Sequence, residues 1–318
     1  MKAAIVEQFG KPPVYGEFEE PTAGPGEVRV AVAASALSNL TRGRAAGTHY
    51  SSGGRVPFVP GVDGVGRLDD GRRVYFAMPR APFGGMAERT VVAAKLCVAV
   101  PDDLDDVTAA AIGNPGMSSW AALVERAKLA AGETVLINGA TGTSGRLAVQ
   151  VAKHLGAGRV IATGRNVKVL AELAALGADA TVALSGDPDA NEAAFKPHFA
   201  AGVNVVLDYL WGPSAERLLV AAARAGTEGV PMRFVQIGSM SGSDITLPSA
   251  VLRSSDLKLM GSGIGSVPTD RLLHAIGQLL AVTTSAGFRI ATDAVPLADV
   301  GRAWAATGDA TRTVFRVG

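Results

Sequence analysis

The chain has 318 residues, 48% of them apolar and 19% charged, enough to fill the core of one large domain or two ordinary ones. Thirty basic residues against 29 acidic ones leave a net charge of +1, so no charge excess points to nucleic acid or a membrane surface. The single cysteine, Cys97, excludes an intrachain disulfide and a cysteine-rich zinc site. The amino-terminal "MKAAIVEQFGKPPVYGEFEE" lacks the apolar core of a secretion signal. No run of about 18 apolar residues offers a membrane span, so a soluble, cytoplasmic protein is expected.

The first third is β-rich. "KAAIVEQF", "EVRVAVAASAL", "GVGRLDDGRRVYFAM" and "MAERTVVAAKLCVAV" are short Val-, Ala- and Phe-rich runs broken by Gly, Pro and Asp turns. Asp-Gly within "DDGRR" predicts a hairpin turn. Near Gly113 the texture changes, and "NPGMSSWAALVERAKLAAGE" predicts a helix. Strands are then expected at 134–138, 159–163, 180–184, 203–210, 233–237 and 258–260. Helices are expected near 145–155, 167–176, 190–200 and 214–225. Six strands with helical crossovers predict a doubly wound parallel sheet of α/β class. The tail adds a helix, "TDRLLHAIGQLLAVTTSAG", and two β-like pieces, "FRIATDAVPL" and "RTVFRV". The simplest packing returns this tail to the first β unit. The expected division is 1–113 for the first part of the β domain, 114–264 for an inserted α/β domain and 265–318 for the return.

"VLINGATGTSGRLAVQVAKHLGAGRVIATGRN" passes from an apolar strand through a glycine turn into a helix and a second strand. Ala140 replaces the first glycine of the G-x-G-x-x-G fingerprint, and Gly139 stands one place earlier. Gly142 would admit a pyrophosphate to the backbone, and Gly145 would let helix and strand pack closely. Thr143 and Ser144 open the helix at its positive end. The residues after the second strand choose the nucleotide. NAD sites place an acid there, whereas this chain reads Gly164-Arg165-Asn166, with Lys168 beyond. The guanidinium matches the 2′-phosphate of NADPH.

Taken together, "GEVRVAVAASALSNLTRGRAAG", "PFVPGVDGVG", "GGMAERTVV", "GMSSWAAL", "NGATGTSG" and "ATGRN" resemble the medium-chain dehydrogenase/reductase superfamily in its zinc-independent, quinone oxidoreductase-like branch. The resemblance covers nearly the whole chain and implies a GroES-like β domain interrupted by a Rossmann domain. Zinc-dependent relatives place Cys in the first loop, where Ser38 stands, and Gly-His-Glu where this chain has Gly61-Val62-Asp63. The sequence also lacks their loop of closely spaced cysteines, so no metal is expected.

Without a metal to polarise an alcohol, the hydride acceptor must already be electron-poor. The resemblance therefore implies NADPH-dependent reduction of a quinone or a carbonyl-conjugated alkene. An enoyl-thioester reductase and a low-turnover, NADPH-binding regulatory protein are the alternatives. A short-chain dehydrogenase is not supported, because the amino-terminal Rossmann fold and the Tyr-x-x-x-Lys pair are missing. Nicotinamide-side contacts carry over to Ser38 and Ser118, although serines also serve as turn caps. Tyr209, Gly238, Ser239, Gly261 and Ser262 follow sheet ends that the cofactor would cross. Tyr50, in "GTHYSSGG", is the candidate proton donor. Trp120, Trp211 and Trp304 are assigned to packing, and Cys97 to an inert core thiol. The expected partner is a small-molecule substrate. "DLKLMGSG" is the candidate edge for a homodimer.

Overall fold

The computed structural model describes residues 1–49, 52, 54–305 and 311–318. The chain divides into two compact units: Met1–Asn114 together with Ile276–Gly318, and Pro115–Ala275.

In the first unit, the ten-residue strand Glu27–Ala36 organises the β structure. It pairs antiparallel with Asp63–Leu68, with Arg89–Ala93 and, at its carboxyl end, with Arg312–Arg316. The sheet continues from Asp63–Leu68 through Arg73–Ala77 to Cys97–Ala99. The tail joins this sheet because Val314, Phe315 and Arg316 register against Ala36, Ser35 and Ala34. Leu297, Val300 and Phe315 then share a buried cluster with Ile5, Val59 and Met86. The tail thus closes a core that the amino-terminal strands leave open, a burial worth roughly 1.5–3 kcal/mol per large apolar side chain.

The second unit holds six parallel strands in the spatial order Ala180–Ala183, Arg159–Gly164, Thr134–Asn138, Val205–Asp208, Met232–Gln236, Leu257–Gly261. One face buries Leu136, Ile161, Val206 and Phe234 under Phe195, Phe199, Leu218 and Leu219 of helices Pro188–Ala200 and Gly212–Ala225. Period-two alternation sends Val135, Ile137, Val160 and Ala162 to the other face. Strand order reverses between Thr134–Asn138 and Val205–Asp208, and a doubly wound sheet takes its ligand at the carboxyl ends of such a pair.

All six predicted strands are present, Thr134–Asn138 with the expected ends and the other five with shifted ends. The run expected at 203–210 forms a strand only over Val205–Asp208, because the Asp208 carboxylate turns back to accept from the Leu210 and Trp211 N–H groups at 3.0 and 3.1 Å. The helix expected from residue 114 starts earlier, at Asp106, and runs to Ala121 before a π-helical stretch, Ala122–Ala127. The segment after its first turn escapes periodicity because it is apolar all round: Ala109, Ala110, Ala111 and Ile112 are all fully buried. Cys97 is half-buried, and burial pushes its thiol up to about 11, which keeps it protonated at neutral pH. No helix among the described residues is long and apolar enough to cross a membrane.

Candidate cofactor site

The turn after Thr134–Asn138 is built around two close approaches. Gly139 adopts φ +88°, and a Cβ there would stand 2.9 Å from the Leu210 side chain. Gly145 packs its helix so tightly on the turn that a Cβ would lie 2.4 Å from the Gly139 carbonyl oxygen. Gly139 thus supplies the left-handed turn residue that Ala140 could not. Gly142 differs from both. A Cβ there would meet nothing closer than 4.0 Å, so its outer side is open. Helix Thr143–His154 starts immediately after it, with no side-chain cap from Gly142. An open glycine in front of an uncapped, twelve-residue helix leaves room and positive potential for a pyrophosphate, so these residues fit a dinucleotide.

Beneath this turn lies a buried polar cluster that periodicity could not reveal. Asn138 and Asp208 end their strands and Thr163 stands one residue before the end of the neighbouring strand Arg159–Gly164, and all three are fully buried. The Thr163 hydroxyl donates to Asn138 Oδ1 at 2.7 Å, and Ser214 Oγ donates to the same oxygen at 3.0 Å. Asn138 Nδ2 donates to Asp208 Oδ1 at 2.8 Å. Gly139 N–H reaches Thr163 Oγ1 at 3.3 Å, which ties the glycine turn to the cluster. Burial pushes the Asp208 carboxyl up to about 6, against the pull of the Leu210, Asn138 and Trp211 donors. The signal was nonetheless present in the sequence: "LIN", "IAT" and "VLD" each pass from apolar strand residues to a polar one.

At the end of the second strand, Gly164 is buried against the Thr141 side chain, while Arg165, Asn166 and Lys168 are exposed. The Asn166 carboxamide oxygen caps helix Val167–Glu172 by accepting from Lys168 and Val169 N–H at 3.1 and 3.3 Å. Among the described residues Arg165 and Lys168 have no carboxylate partner. Two unpaired cations therefore stand where a ribose-binding acid would otherwise be.

Across the switch point, Ser118 and Tyr209 come together, their oxygens 3.4 Å apart. Ser118 Oγ also donates to the Pro115 carbonyl at 2.7 Å. Tyr209 is buried, which pushes its phenol up to about 12. Gly238 lies against the Tyr209 carbonyl, where a Cβ would approach to 2.8 Å, and Ser239 is exposed beside it. Gly261 and Ser262 lie at the end of the edge strand, one strand further out. The Gly261 carbonyl accepts from Arg126 Nε at 2.7 Å, and Ser262 N–H donates to the Gln236 carbonyl at 2.9 Å.

In the first unit, Ser38 caps helix Asn39–Ala46. Its Oγ accepts from Thr41 N–H at 3.0 Å and lies 2.9 Å from Thr41 Oγ1. Asp63, at the position of a zinc-ligand segment in the resemblance, is buried and accepts from the Tyr75 hydroxyl at 2.5 Å. Burial pushes its carboxyl up, against the charge of Arg312. Gly113 makes room for the Tyr75 ring, since a Cβ there would stand 2.3 Å from it. Asp63 is thus tied to the internal packing of the β unit. Among the described residues no three His, Cys, Asp or Glu side chains gather as a metal site. The groups at these positions do not fit a zinc ion held in the way the zinc-dependent relatives hold theirs. Tyr50 lies outside the described residues.

A parallel sheet reversed at a glycine turn, with an open helix terminus and a cationic rim, defines a dinucleotide-binding α/β protein of the dehydrogenase kind. The family model described as zinc-binding dehydrogenase matches residues 145–284. An Emericella nidulans protein named "Probable NADPH-dependent quinone reductase tdiC" is 29% identical, with 96% of each chain covered. A mycocerosic acid synthase-like polyketide synthase of Mycobacterium tuberculosis is 30% identical over 70% of this chain but only 10% of its own length. The quinone oxidoreductase of Thermus thermophilus, solved also in complex with NADPH, is 29% identical, with a TM-score of 0.81 over 99% of this chain and 100% of its own. The chain belongs to the medium-chain dehydrogenase/reductase superfamily, in its quinone oxidoreductase-like branch. It is an oxidoreductase.

Proposed function

We propose that this protein is an NADPH-dependent, zinc-independent reductase that delivers hydride to a quinone or to an alkene conjugated to a carbonyl. The observation that carries the reading is the pair of cations, Arg165 and Lys168, at the rim of an open glycine turn, neither with a carboxylate partner among the described residues. NADPH, when bound, supplies the hydride. Gly142 and the first turn of helix Thr143–His154, including Ser144 and Gly145, hold the pyrophosphate. Arg165 and Lys168 hold the 2′-phosphate, with Asn166 fixing the start of the following helix. Ser118, Tyr209, Gly238 and Ser239 bound the nicotinamide side, with Gly261 and Ser262 beyond; the family resemblance adds Ser38. The Tyr209 phenol stays protonated at neutral pH, so it offers a donor and not a base. The likeness to the named NADPH-dependent quinone reductase supports the cofactor and the acceptor class.

The test follows NADPH absorbance against a panel of quinones, enones, enoyl thioesters and simple ketones. Turnover of quinones or enones, with simple ketones inert, is the expected result. Exclusive turnover of enoyl thioesters would replace the acceptor class. Tight NADPH binding without turnover on any member would make this a binding protein.

Strand Leu257–Gly261 pairs on one side only among the described residues, and its Leu259 is 38% exposed. We infer that this edge takes the same strand of a second copy, completing both ladders. Sedimentation should give the mass of a dimer, and a monomer at micromolar concentration would refute the inference.

A further inference from the structure

Two segments of the second unit meet at its switch point: the glycine turn after Asn138 and the loop at residues 209–211. Their strands pair directly, with Asn138 in register with Asp208. The segments also pack on each other. Leu210 fills the space beside Gly139, where a Cβ would stand 2.9 Å from it. The Gly139 carbonyl in turn seats helix Thr143–His154 through Gly145. Groups packed this closely pass a displacement on, so the loop supports the turn that receives the pyrophosphate.

One carboxylate holds both segments. Asp208 Oδ1 accepts from Asn138 Nδ2 at 2.8 Å and from Leu210 N–H at 3.0 Å. The Trp211 N–H lies 3.2 Å from Oδ1 and 3.1 Å from Oδ2. Asn138 is fixed in this orientation, because its Oδ1 accepts from the Thr163 and Ser214 hydroxyls. These partners of the carboxyl are all donors. A proton on it would set donor against donor and loosen the loop, so the ionised form is the one that holds it.

The surroundings contain no charge that offsets burial. Asp208 shares its sheet face with Val206, under helices Pro188–Ala200 and Gly212–Ala225. On those helices Glu192 meets Lys196, Arg217 and Arg224, Asp189 meets Arg217, Glu216 accepts from Thr246 N–H, and His198 lies 3.4 Å from Arg159. The neighbouring strands offer Asn138, Thr163 and Gln236, which are uncharged. Tyr209, next in the chain, keeps its phenol proton. Burial therefore dominates and pushes the Asp208 carboxyl up to about 6.

We propose that Asp208 is a positioning residue for the cofactor: its carboxylate holds the loop against the glycine turn, so the dinucleotide binds the ionised form more tightly and displaces the proton. The proposal rests on the placement of the dinucleotide at this turn. By linkage, affinity is full above about pH 7 and falls as pH drops through about 6.

The experiment is calorimetric titration with NADP⁺, which tolerates acid, of wild type and Asp208→Asn between about pH 5 and about pH 8. The 2′-phosphate titrates in this range with both proteins, so the readout is the ratio of their dissociation constants. The Asn amide stands in for the neutral acid. At about pH 8 the variant should bind about fivefold or more weakly than wild type, and toward about pH 5 the two should converge. A ratio that is the same at both ends overturns the proposal, since a uniform loss marks a merely structural residue. No binding by wild type at any pH removes the dinucleotide from this turn and the proposal with it. If the variant fails to fold, wild type alone decides with NAD⁺, which has no group titrating near neutral pH. Its binding should release up to about half a proton at about pH 6 and none at about pH 8. No release at the lower pH overturns the proposal.

Discussion

Replacing Asp208 with alanine should lower the unfolding free energy by about 3 kcal/mol, the scale expected when several buried donors lose one acceptor. The residue is fully buried, and its carboxylate accepts from Asn138 Nδ2 and from the Leu210 and Trp211 N–H groups. No neighbour replaces it. The same loop holds Trp211 at φ +56°, a conformation that an L side chain adopts only under constraint. Loss of the carboxylate therefore removes the acceptors and the constraint together. Asp208→Asn should cost less, because it keeps one acceptor oxygen. Denaturant midpoints of the two variants, compared with wild type, measure the order.

The pH dependence of the same residue provides a sharper test. The folded-state carboxyl is pushed up to about 6, above its ordinary 3.8. Native protein therefore binds the proton more tightly than unfolded chain does. Its contribution is fully present below about pH 4 and is lost as pH rises through about 6, a span of about 3 kcal/mol. Asp208→Asn has no such group. Wild type should thus gain on this variant as pH falls from about 7 to about 4. A stability difference that stays constant across that range would show that Asp208 does not titrate in this window.

The sequence made the α/β unit legible because its strands are short apolar runs, each closed by a turn. Gly139, Gly142 and Gly145 stood out for the same reason, since few other residues suit such turns. What each glycine does required coordinates. Gly145 avoids a clash at 2.4 Å, whereas Gly142 faces open space. The helical run at residues 109–113 was hidden because it is buried on all sides and shows no polar stripe. The Asn138–Asp208 link was hidden for another reason. Its partners lie 70 residues apart and meet only because strand order reverses between them. Ser38 could be read as a nicotinamide contact or as a helix cap, and the structure shows it capping. Arg165 and Lys168 were readable as residues, but their lack of partners was not.

Arg165→Ala should weaken NADPH binding by about tenfold to a hundredfold while leaving NADH binding nearly unchanged. The range follows from one to two charge-assisted hydrogen bonds to a phosphate, each worth about 1.5–3 kcal/mol, reduced by solvent screening at an exposed site. The 2′-phosphate carries close to two negative charges at neutral pH and is the one group that distinguishes the two cofactors. Arg165 is exposed and, among the described residues, has no carboxylate partner, so no internal ion pair competes for its guanidinium. Lys168→Ala should have a smaller effect, since an ammonium is a point charge without the planar fork. The double variant should approach the affinity for NADH. Arg165→Glu should go further, repelling the phosphate and offering a carboxylate to the ribose hydroxyls, so that preference inverts toward NADH. Fluorescence titration of both cofactors gives the dissociation constants directly, without a substrate. The NADPH preference of wild type should also shrink as salt is raised, whereas the Arg165→Glu variant should lose its discrimination against NADPH under the same conditions. Equal affinity for the two cofactors in wild type, unchanged in Arg165→Ala, would move the 2′-phosphate away from this rim and with it the basis for choosing NADPH over NADH.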